Sequence, residues 1–312
     1  MKIFVAGATG AIGLPLVRSL LARGHTVFGM TRSQASADKL SSMGATPVIV
    51  DVFDSDKLNA AVREVSPDAV IEELTSLPKV NTPELRRASA ATHNRVRIEG
   101  GQNVQAAAIA AGVRRYVAQS SAFWAEPGPG LSDEAMPFAL QVDAPGVVSG
   151  ATALKEVETR VLGASEFVGT VLRYGFFYGP GTWYQESGGS AADDVRAGRF
   201  PIIGQGTGVW SFVHIDDAVA ATVAAVESKN PKRTVYNITD DDPSPVSVWL
   251  PAFARHLGAP APKVVSVVDA LESAGKDAVY YGTRLRGASN RKARDELGFR
   301  PRRLEWLAGG AS

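Results

Sequence analysis

The first thirteen residues, MKIFVAGATGAIG, constrain this chain most, because an apolar strand over 2–6 runs directly into regularly spaced glycines. Gly7, Gly10 and Gly13 have the spacing GxxGxxG. Between a strand and a helix, the first glycine permits a tight turn and the second lets the backbone approach a pyrophosphate. The third lets the helix pack closely on the sheet. The N–H groups that begin such a helix face the anion.

A glycine pattern alone has low specificity, because turns use glycine freely. Here a periodic helix predicted over 12–23 and a second apolar strand over 26–31 complete a βαβ unit. Pro15 fits the first turn of that helix, where N–H groups lack partners in any case. The segment therefore predicts a dinucleotide site whose contacts are Gly7, Thr9, Gly10, Ile12 and Gly13.

Composition excludes several classes of function. With 312 residues, of which 45% are hydrophobic, the chain can bury a full core. A net charge of +1 without basic runs argues against nucleic acid or membrane partners, and the absence of cysteine excludes disulfides and thiolate metal sites. The four histidines show no ligand spacing, so we expect no metal. The strand that starts at Lys2 leaves no room for a signal peptide, and no apolar run reaches the length of a membrane span. We therefore expect a cytoplasmic protein with a small-molecule substrate.

Strands and helices alternate along the first half of the chain. Strands are predicted near 2–6, 26–31, 46–50, 69–74, 114–119 and 167–172, and helices over 12–23, 34–43, 55–65, 93–111 and 152–163. This alternation predicts an α/β fold with a doubly wound parallel sheet. After Arg173 the composition changes, since glycine and aromatic residues dominate 174–210 and prolines recur over 243–262. We interpret this change as a smaller C-terminal substrate-binding region.

The N-terminal AGATGAIG resembles the extended short-chain dehydrogenase/reductase family, which includes NAD-dependent epimerases and dehydratases. Further landmarks follow in the family's order, namely AVIEELTS, RRYVAQSSA, LRYGFFYGPG, WSFVHIDDAV and SNRKARDELGFRP. The resemblance implies a Rossmann domain over 1–173 to which 211–239 return. Residues 174–210 and 240–312 then form the smaller region. A homodimer is a possible assembly.

Cofactor choice is predicted from the end of the second strand. Arg32 lies about twenty residues after the last glycine, where an arginine accommodates the 2′-phosphate of NADP and an acidic residue would bind NAD. No acidic residue occupies 29–33, and Ser33 adds a phosphate donor, so we predict NADP, with NAD as the alternative. The resemblance places Asp51 and Val52 at the adenine ring, and Leu74 and Thr75 along the ribose and pyrophosphate.

The catalytic residues depart from the family pattern. Members of the family use a Ser or Thr, a Tyr, and a Lys four residues after the Tyr, which binds the nicotinamide ribose and lowers the tyrosine pKa. Ser121 and Lys155 match the first and last roles. Counting back four residues from Lys155 gives Ala151, and aligning Glu158 with the usual helix glutamate gives Gly150 and Leu154. The tyrosine is absent in both registers.

Two further features belong to the predicted reaction centre. Tyr174 and Tyr178 lie on a segment that passes the nicotinamide in the family, so either phenol could replace the missing proton donor, and we select Tyr178. The same resemblance makes Tyr174 a cofactor contact. In RIEGGQN, Arg97 stands where the family has an asparagine.

Aromatic side chains dominate the loops expected around the nicotinamide, which favours an apolar or aromatic ligand. They are Phe123, Trp124, Phe138, Phe176, Phe177, Trp183, Tyr184 and Trp210. The sequence thus predicts an NADP-dependent oxidoreductase acting on a carbonyl, alcohol or conjugated carbonyl group. A sugar-nucleotide epimerase or dehydratase and a non-catalytic NADP sensor are the alternatives. Arg196, Arg199, Arg284 and Arg286 could serve the diphosphate of a nucleotide sugar.

Overall fold

A computed structural model of the chain describes residues 1–80 and 82–308. The strands are β1 (Lys2–Ala6), β2 (Thr26–Thr31), β3 (Thr46–Ile49), β4 (Ala69–Glu72), β5 (Arg115–Ser121), β6 (Val168–Tyr174), β7 (Phe176–Tyr178), β8 (Ile202–Ile203), β9 (Val209–Trp210), β10 (Phe212–His214), β11 (Thr234–Ile238), β12 (Ser244–Pro245) and β13 (Val264–Val265). Seven of them form one parallel sheet in the order β11-β6-β5-β4-β1-β2-β3.

The helices are α1 (Gly13–Ala22), α2 (Gln34–Ser42), α3 (Ser55–Val65), α4 (Pro83–Arg95), α5 (Gly101–Ala110), α6 (Pro145–Gly163), α7 (Ser190–Arg196), α8 (Ile215–Glu227), α9 (Val246–His256), α10 (Val267–Thr283), α11 (Arg291–Leu297) and α12 (Glu305–Ala308). A π-helical turn over Val96–Gly100 joins α4 to α5. Among the described residues, no helix has the length and apolarity that a membrane span requires.

Helices cover both faces of the sheet, because its central strands are apolar on both sides. One face packs Ile3, Val5 and Leu172 against α1 and α8, and the other packs Phe4, Val70 and Val171 against α3, α5 and α6. The strand order reverses between β1 and β4, which opens a crevice at their carboxyl ends. The predicted doubly wound Rossmann sheet is confirmed.

A third apolar cluster forms the smaller region beside this edge of the sheet. Its largest members are aromatic, and they come from β7, β9, β10, α9 and α12. They include Tyr178, Trp210, Phe212, Trp249, Phe253 and Trp306. β11 returns to the main sheet and pairs with β6, so the chain crosses between the two regions more than once.

Several element bounds differ from those predicted. α6 begins at Pro145 instead of residue 152, because Asp277 on α10 accepts a hydrogen bond from the N–H of Gly146 at 2.9 Å and caps the helix from a distant part of the chain. β5 and β6 extend to Ser121 and Tyr174, so both of these polar residues lie within the sheet.

Candidate active site

The glycine-rich loop is tight at its first and third glycines. Gly7 has φ +90°, a conformation that favours glycine, and a Cβ there would overlap the carbonyl of Glu73. A Cβ on Gly13 would overlap the carbonyl of Gly7. The loop can therefore approach the end of β4 only because Gly7 has no side chain. Helix α1 can approach the loop only because Gly13 has none.

Gly10 differs from these two glycines, because its neighbours leave room for a side chain. A Cβ there would meet a single protein atom within 4 Å, the Gly7 carbonyl oxygen at 3.4 Å. Ile12, which precedes α1, provides no side-chain cap for the first helical N–H groups. An open glycine surface beside an uncapped helix N-terminus fits the pyrophosphate of a dinucleotide.

Arg32 and Ser33 follow β2 at the same edge of the sheet. Arg32 is exposed, and its guanidinium makes no ion pair or hydrogen bond with any described residue, which leaves it available to a phosphate. The Ser33 side chain caps α2 by accepting a hydrogen bond from the N–H of Ser36 at 3.3 Å. Its hydroxyl proton remains free for a ligand, and the binding of a 2′-phosphate by Arg32 and Ser33 stays a prediction.

Gly100 brings two predicted adenosine contacts together. A Cβ on Gly100 would lie 3.0 Å from Val52 and 3.7 Å from Leu74, both of which are buried. Asp51 is exposed and accepts a hydrogen bond from the N–H of Phe53 at 2.9 Å. Thr75 follows Leu74 and is half-buried.

The two serines that end β5 point to opposite faces of the sheet. The Ser120 hydroxyl donates to Glu158 Oε1 at 2.7 Å, and Glu158 is paired in turn with Arg173. Ser121 makes no side-chain hydrogen bond within the described part of the chain, although it is only 5% exposed. Of the two hydroxyls, that of Ser121 is thus available to a substrate oxygen.

Helix α6 directs Gly150, Leu154 and Glu158 inward, and all three are buried. Trp124 covers Gly150 so closely that a Cβ at this position would overlap the indole ring. Ala151, the tyrosine position of the other register, is also buried, so the choice between the two registers stays a prediction. Lys155 lies on the exposed face and lines a groove with Phe138 and Arg173. Its role in cofactor binding stays a prediction, because this groove does not include Ser121.

Tyr174 is part of a buried polar chain. Its hydroxyl lies 2.9 Å from Glu73 Oε1 and 2.7 Å from Thr222 Oγ1. Burial raises the pKa of Glu73 to about 8, and burial and the adjacent Glu73 raise the pKa of Tyr174 well above its usual value. Tyr174 thus fills the interior of the sheet edge and is engaged on both sides.

Tyr178 lies deeper in the smaller region. Its hydroxyl donates to the Arg303 carbonyl at 3.4 Å, and its ring packs edge-on against His214 and Trp306. Burial raises its pKa above the usual range of a phenol. The role that we predict for Tyr178 as proton donor stays a prediction, and these contacts leave its hydroxyl engaged with the protein.

A wall of stacked rings continues from Ser121. The Phe123 and Phe176 rings stack at 4.2 Å, and Phe176 and Trp210 stack at 4.1 Å. Tyr281 completes the wall, since its hydroxyl accepts a hydrogen bond from Trp124 Nε1 at 3.0 Å and its carbonyl accepts one from Trp210 Nε1. Sequence reasoning missed Tyr281, because α10 approaches the sheet only in the folded chain.

Other predicted aromatic residues lie outside this wall. Phe138 lies under the guanidinium of Arg173, Phe177 packs on Tyr174, and Tyr184 is buried in the third cluster. Trp183 donates from Nε1 to the Pro78 carbonyl at 3.2 Å and so connects the segment before α7 to the loop after β4.

The chain has relatives of known family and activity. The model of the NAD dependent epimerase/dehydratase family matches residues 3–239. The 3-diazoavenalumate denitrifying reductase of a Streptomyces species is 41% identical over 312 residues, which cover 99% of each chain. The 2-alkyl-3-oxoalkanoate reductase of Stenotrophomonas maltophilia is 28% identical over 83% of this chain and 77% of its own.

Solved structures agree with the fold. UDP-glucose 4-epimerase of Thermus thermophilus, in complex with NAD, matches with a TM-score of 0.72 and 22% identity, over 98% of this chain and 96% of that one. UDP-glucose 4-epimerase of Thermotoga maritima matches with a TM-score of 0.73 and 19% identity, over 98% of this chain and 95% of that one. The chain therefore belongs to the NAD-dependent epimerase/dehydratase family and is an NAD(P)-dependent oxidoreductase of the extended short-chain dehydrogenase/reductase type.

Proposed function

We propose that the protein is an NADPH-dependent reductase of a small aromatic substrate, and that the group it reduces is an aryl diazonium. The observation that carries the proposal is the pair Gly150 and Leu154, which stand in place of the family's proton-transferring tyrosine and its lysine, with Trp124 covering the gap. The relative that is 41% identical over 99% of the chain is named for the reductive denitrification of a diazo compound.

The two reaction types differ in their need for a proton. Reduction of a carbonyl leaves an alkoxide that must be protonated, which is the task of the family tyrosine. When a diazonium group is replaced, a C–H bond forms, the C–N bond breaks, and its electron pair leaves with dinitrogen. The bound reduced nicotinamide would supply the hydride and be oxidised. Loss of the tyrosine is therefore compatible with this second reaction.

The residues of the site have roles that fit such a substrate. The half-buried rings of Phe123 and Trp124, which Phe176 supports from behind, would provide the surface on which a flat aryl group stacks, and aromatic faces attract a cation such as a diazonium group. The glycine-rich loop would hold the pyrophosphate. Arg32 would bind the 2′-phosphate, which is the basis for proposing NADP over NAD.

Carbonyl reduction is the second candidate, and two hydroxyls favour it. Ser121 is free to polarise a carbonyl oxygen, and Tyr281 accepts from Trp124 while keeping its own proton to donate. Burial raises the pKa of Tyr281 to about 12, however, which makes it a weak proton donor at neutral pH. The relative that reduces a 2-alkyl-3-oxoalkanoate is consistent with this candidate.

The decisive experiment supplies NADPH and 4-hydroxybenzenediazonium to the protein and measures dinitrogen by mass spectrometry. NADPH deuterated at either face of C4 should transfer deuterium to the ring from one face only. A reaction without protein gives the background rate. Release of dinitrogen at the background rate, together with turnover of ketones, would favour the second candidate.

Two variants separate the candidates further. Tyr281→Phe and Ser121→Ala should leave diazonium reduction within about threefold of the native rate, because neither hydroxyl takes part. In carbonyl reduction the same changes should each lower turnover by about a hundredfold or more, the scale for removing one placed donor. NADPH affinity serves as the folding control, since neither residue belongs to the predicted cofactor contacts.

A further inference from the structure

Arg97 carries a buried charge without a counterion. The residue is 7% exposed, and its Nη1 is buried without a hydrogen-bond partner. Among the side chains that the structure describes, no carboxylate pairs with the guanidinium. Burying a charge is costly unless it is paired and hydrogen-bonded, so the fold holds this side chain at a cost that an anionic ligand would offset.

Other charged groups on this helix and at the end of β4 are engaged, whereas Arg86 on α4 is exposed and, like Arg97, acts on Tyr281. Glu99 pairs with Arg95 on the exposed side of the helix, and Glu72 pairs with Arg160 beneath the sheet edge. His93, one turn before Arg97, accepts a hydrogen bond at Nδ1 from the N–H of Ser76 at 3.0 Å. Burial and the charge of Arg97 lower the pKa of His93 to about 3, so this ring is neutral.

Arg97 lies within electrostatic range of Tyr281 in the aromatic wall. It lies in the π-helical turn over Val96–Gly100, and such turns are rare and often occur at functional sites. Its charge acts on Tyr281, whose hydroxyl accepts from Trp124. Arg97 is therefore placed at the wall that the proposed function uses for the aryl ring.

We propose that Arg97 binds a carboxylate on the substrate, so that the substrate is an aryl carboxylic acid held between this guanidinium and the aromatic wall. The inference rests on the proposed function, because it takes the wall as the surface that binds the aryl ring. A guanidinium matches a carboxylate with two parallel hydrogen bonds, which fixes both position and orientation.

Three of the four arginines considered for a nucleotide diphosphate are engaged elsewhere. Arg199 pairs with Asp194, Arg196 pairs with Asp193, and Arg286 donates to the carbonyls of Pro129 and Gly130. Arg284 is exposed, whereas Arg97 is a buried cation without an ion pair among the described side chains. This arrangement favours a monoanion with an apolar body over a diphosphate.

The test measures binding without turnover. Protein saturated with NADP+ is titrated calorimetrically with benzoate, cinnamate and 5-phenylpenta-2,4-dienoate, and with the amide of each acid. At least one acid should bind about tenfold or more tightly than its amide, the scale of a charged hydrogen-bonded contact. Arg97→Met should abolish this preference. The matched control Arg95→Met, which removes an exposed arginine two residues away, should retain it.

Two measurements check that Arg97→Met is folded. We expect its NADP+ affinity to be unchanged and its melting temperature to be no lower than that of the native protein. If this variant does not fold, Arg97→Lys keeps the positive charge but lacks the two parallel N–H donors of the guanidinium, and it should weaken the acid preference. Equal binding of acids and amides by the native protein, or no binding of any of the three pairs, would overturn the inference, as would a preference retained in Arg97→Met. An intact acid preference without dinitrogen release would refute the proposed function alone.

Discussion

The indole of Trp124 packs on the α-carbon of Gly150, in the space that a side chain at this position would enter. Its Nε1 also donates to the hydroxyl of Tyr281, so one side chain joins the loop after β5 to α6 and α10. Trp124 therefore fills the space beside Gly150 with a ring that also belongs to the aromatic wall.

We expect Gly150→Ala to destabilise the protein by about 1–3 kcal/mol, the range for overpacking a filled site. The added methyl group would displace the indole and with it the hydrogen bond to Tyr281. Urea unfolding measures the change. Gly163→Ala on the same helix is the matched control, because a Cβ there meets nothing within 4 Å. Equal effects of the two substitutions would contradict the packing that we describe.

The glycine-rich loop allows binding and folding to be separated. Gly10→Val should abolish NADPH binding while leaving the melting temperature nearly unchanged, because the protein leaves space at this position. Gly13→Ala should lower the melting temperature, since its Cβ would overlap the Gly7 carbonyl. Calorimetric titration and thermal melts of both variants test the pair. Retained NADPH binding by folded Gly10→Val would mean that the loop does not hold the pyrophosphate.

Cofactor preference should depend on Arg32. We expect the native protein to bind NADPH more tightly than NADH, and Arg32→Ala to remove most of the difference, about 1–3 kcal/mol for a charged hydrogen-bonded contact. Because the guanidinium has no partner among the described residues, its removal should not affect stability. Arg63→Ala, which removes an exposed arginine on α3, should leave the preference intact. Equal affinities of the native protein for the two cofactors would refute this assignment.

The sequence predicted the fold well, because the signals that define its elements are local. Glycines that end helices and the spacing of apolar residues both act over a few residues. They predicted β1, β2 and α3 closely, whereas the start of α6 depends on Asp277, which is distant in sequence. Two registers for the catalytic helix could be written from the sequence. Burial does not choose between them, because Gly150 and Ala151 are both buried, and the contact of Trp124 with Gly150 arises only in the folded chain. The same holds for Tyr281, which meets Trp124 only across the folded site.

Glu73 is predicted to make stability depend on pH, through the chain that it forms with Tyr174 and Thr222. Thr222 donates to the Ala218 carbonyl, which can only accept. The Tyr174 hydroxyl donates to Glu73 Oε1, and Glu73 Oε2 is buried without a hydrogen-bond partner among the described residues. This agrees with a Glu73 pKa raised to about 8 by burial. The neutral form is thus the one that fits the fold.

Because the folded-state pKa of Glu73 exceeds its unfolded value, the native protein binds more protons than the unfolded chain between about pH 4.5 and 8. The free energy of unfolding should fall as pH rises through this range, with a slope of up to about 1.4 kcal/mol per pH unit for each such group. Asp240, whose pKa burial also raises to about 8, contributes over the same range. His93, whose pKa is lowered from 6.5 to about 3, contributes a slope of opposite sign below pH 6.5, so the two carboxyls are isolated only above that pH. There Glu73→Gln should reduce the slope by about half and Asp240→Asn by a similar amount, while their combination should flatten it. Urea unfolding at several pH values between about 6.5 and 8 measures these slopes, and a native stability that is constant over this range would show that neither carboxyl is held neutral.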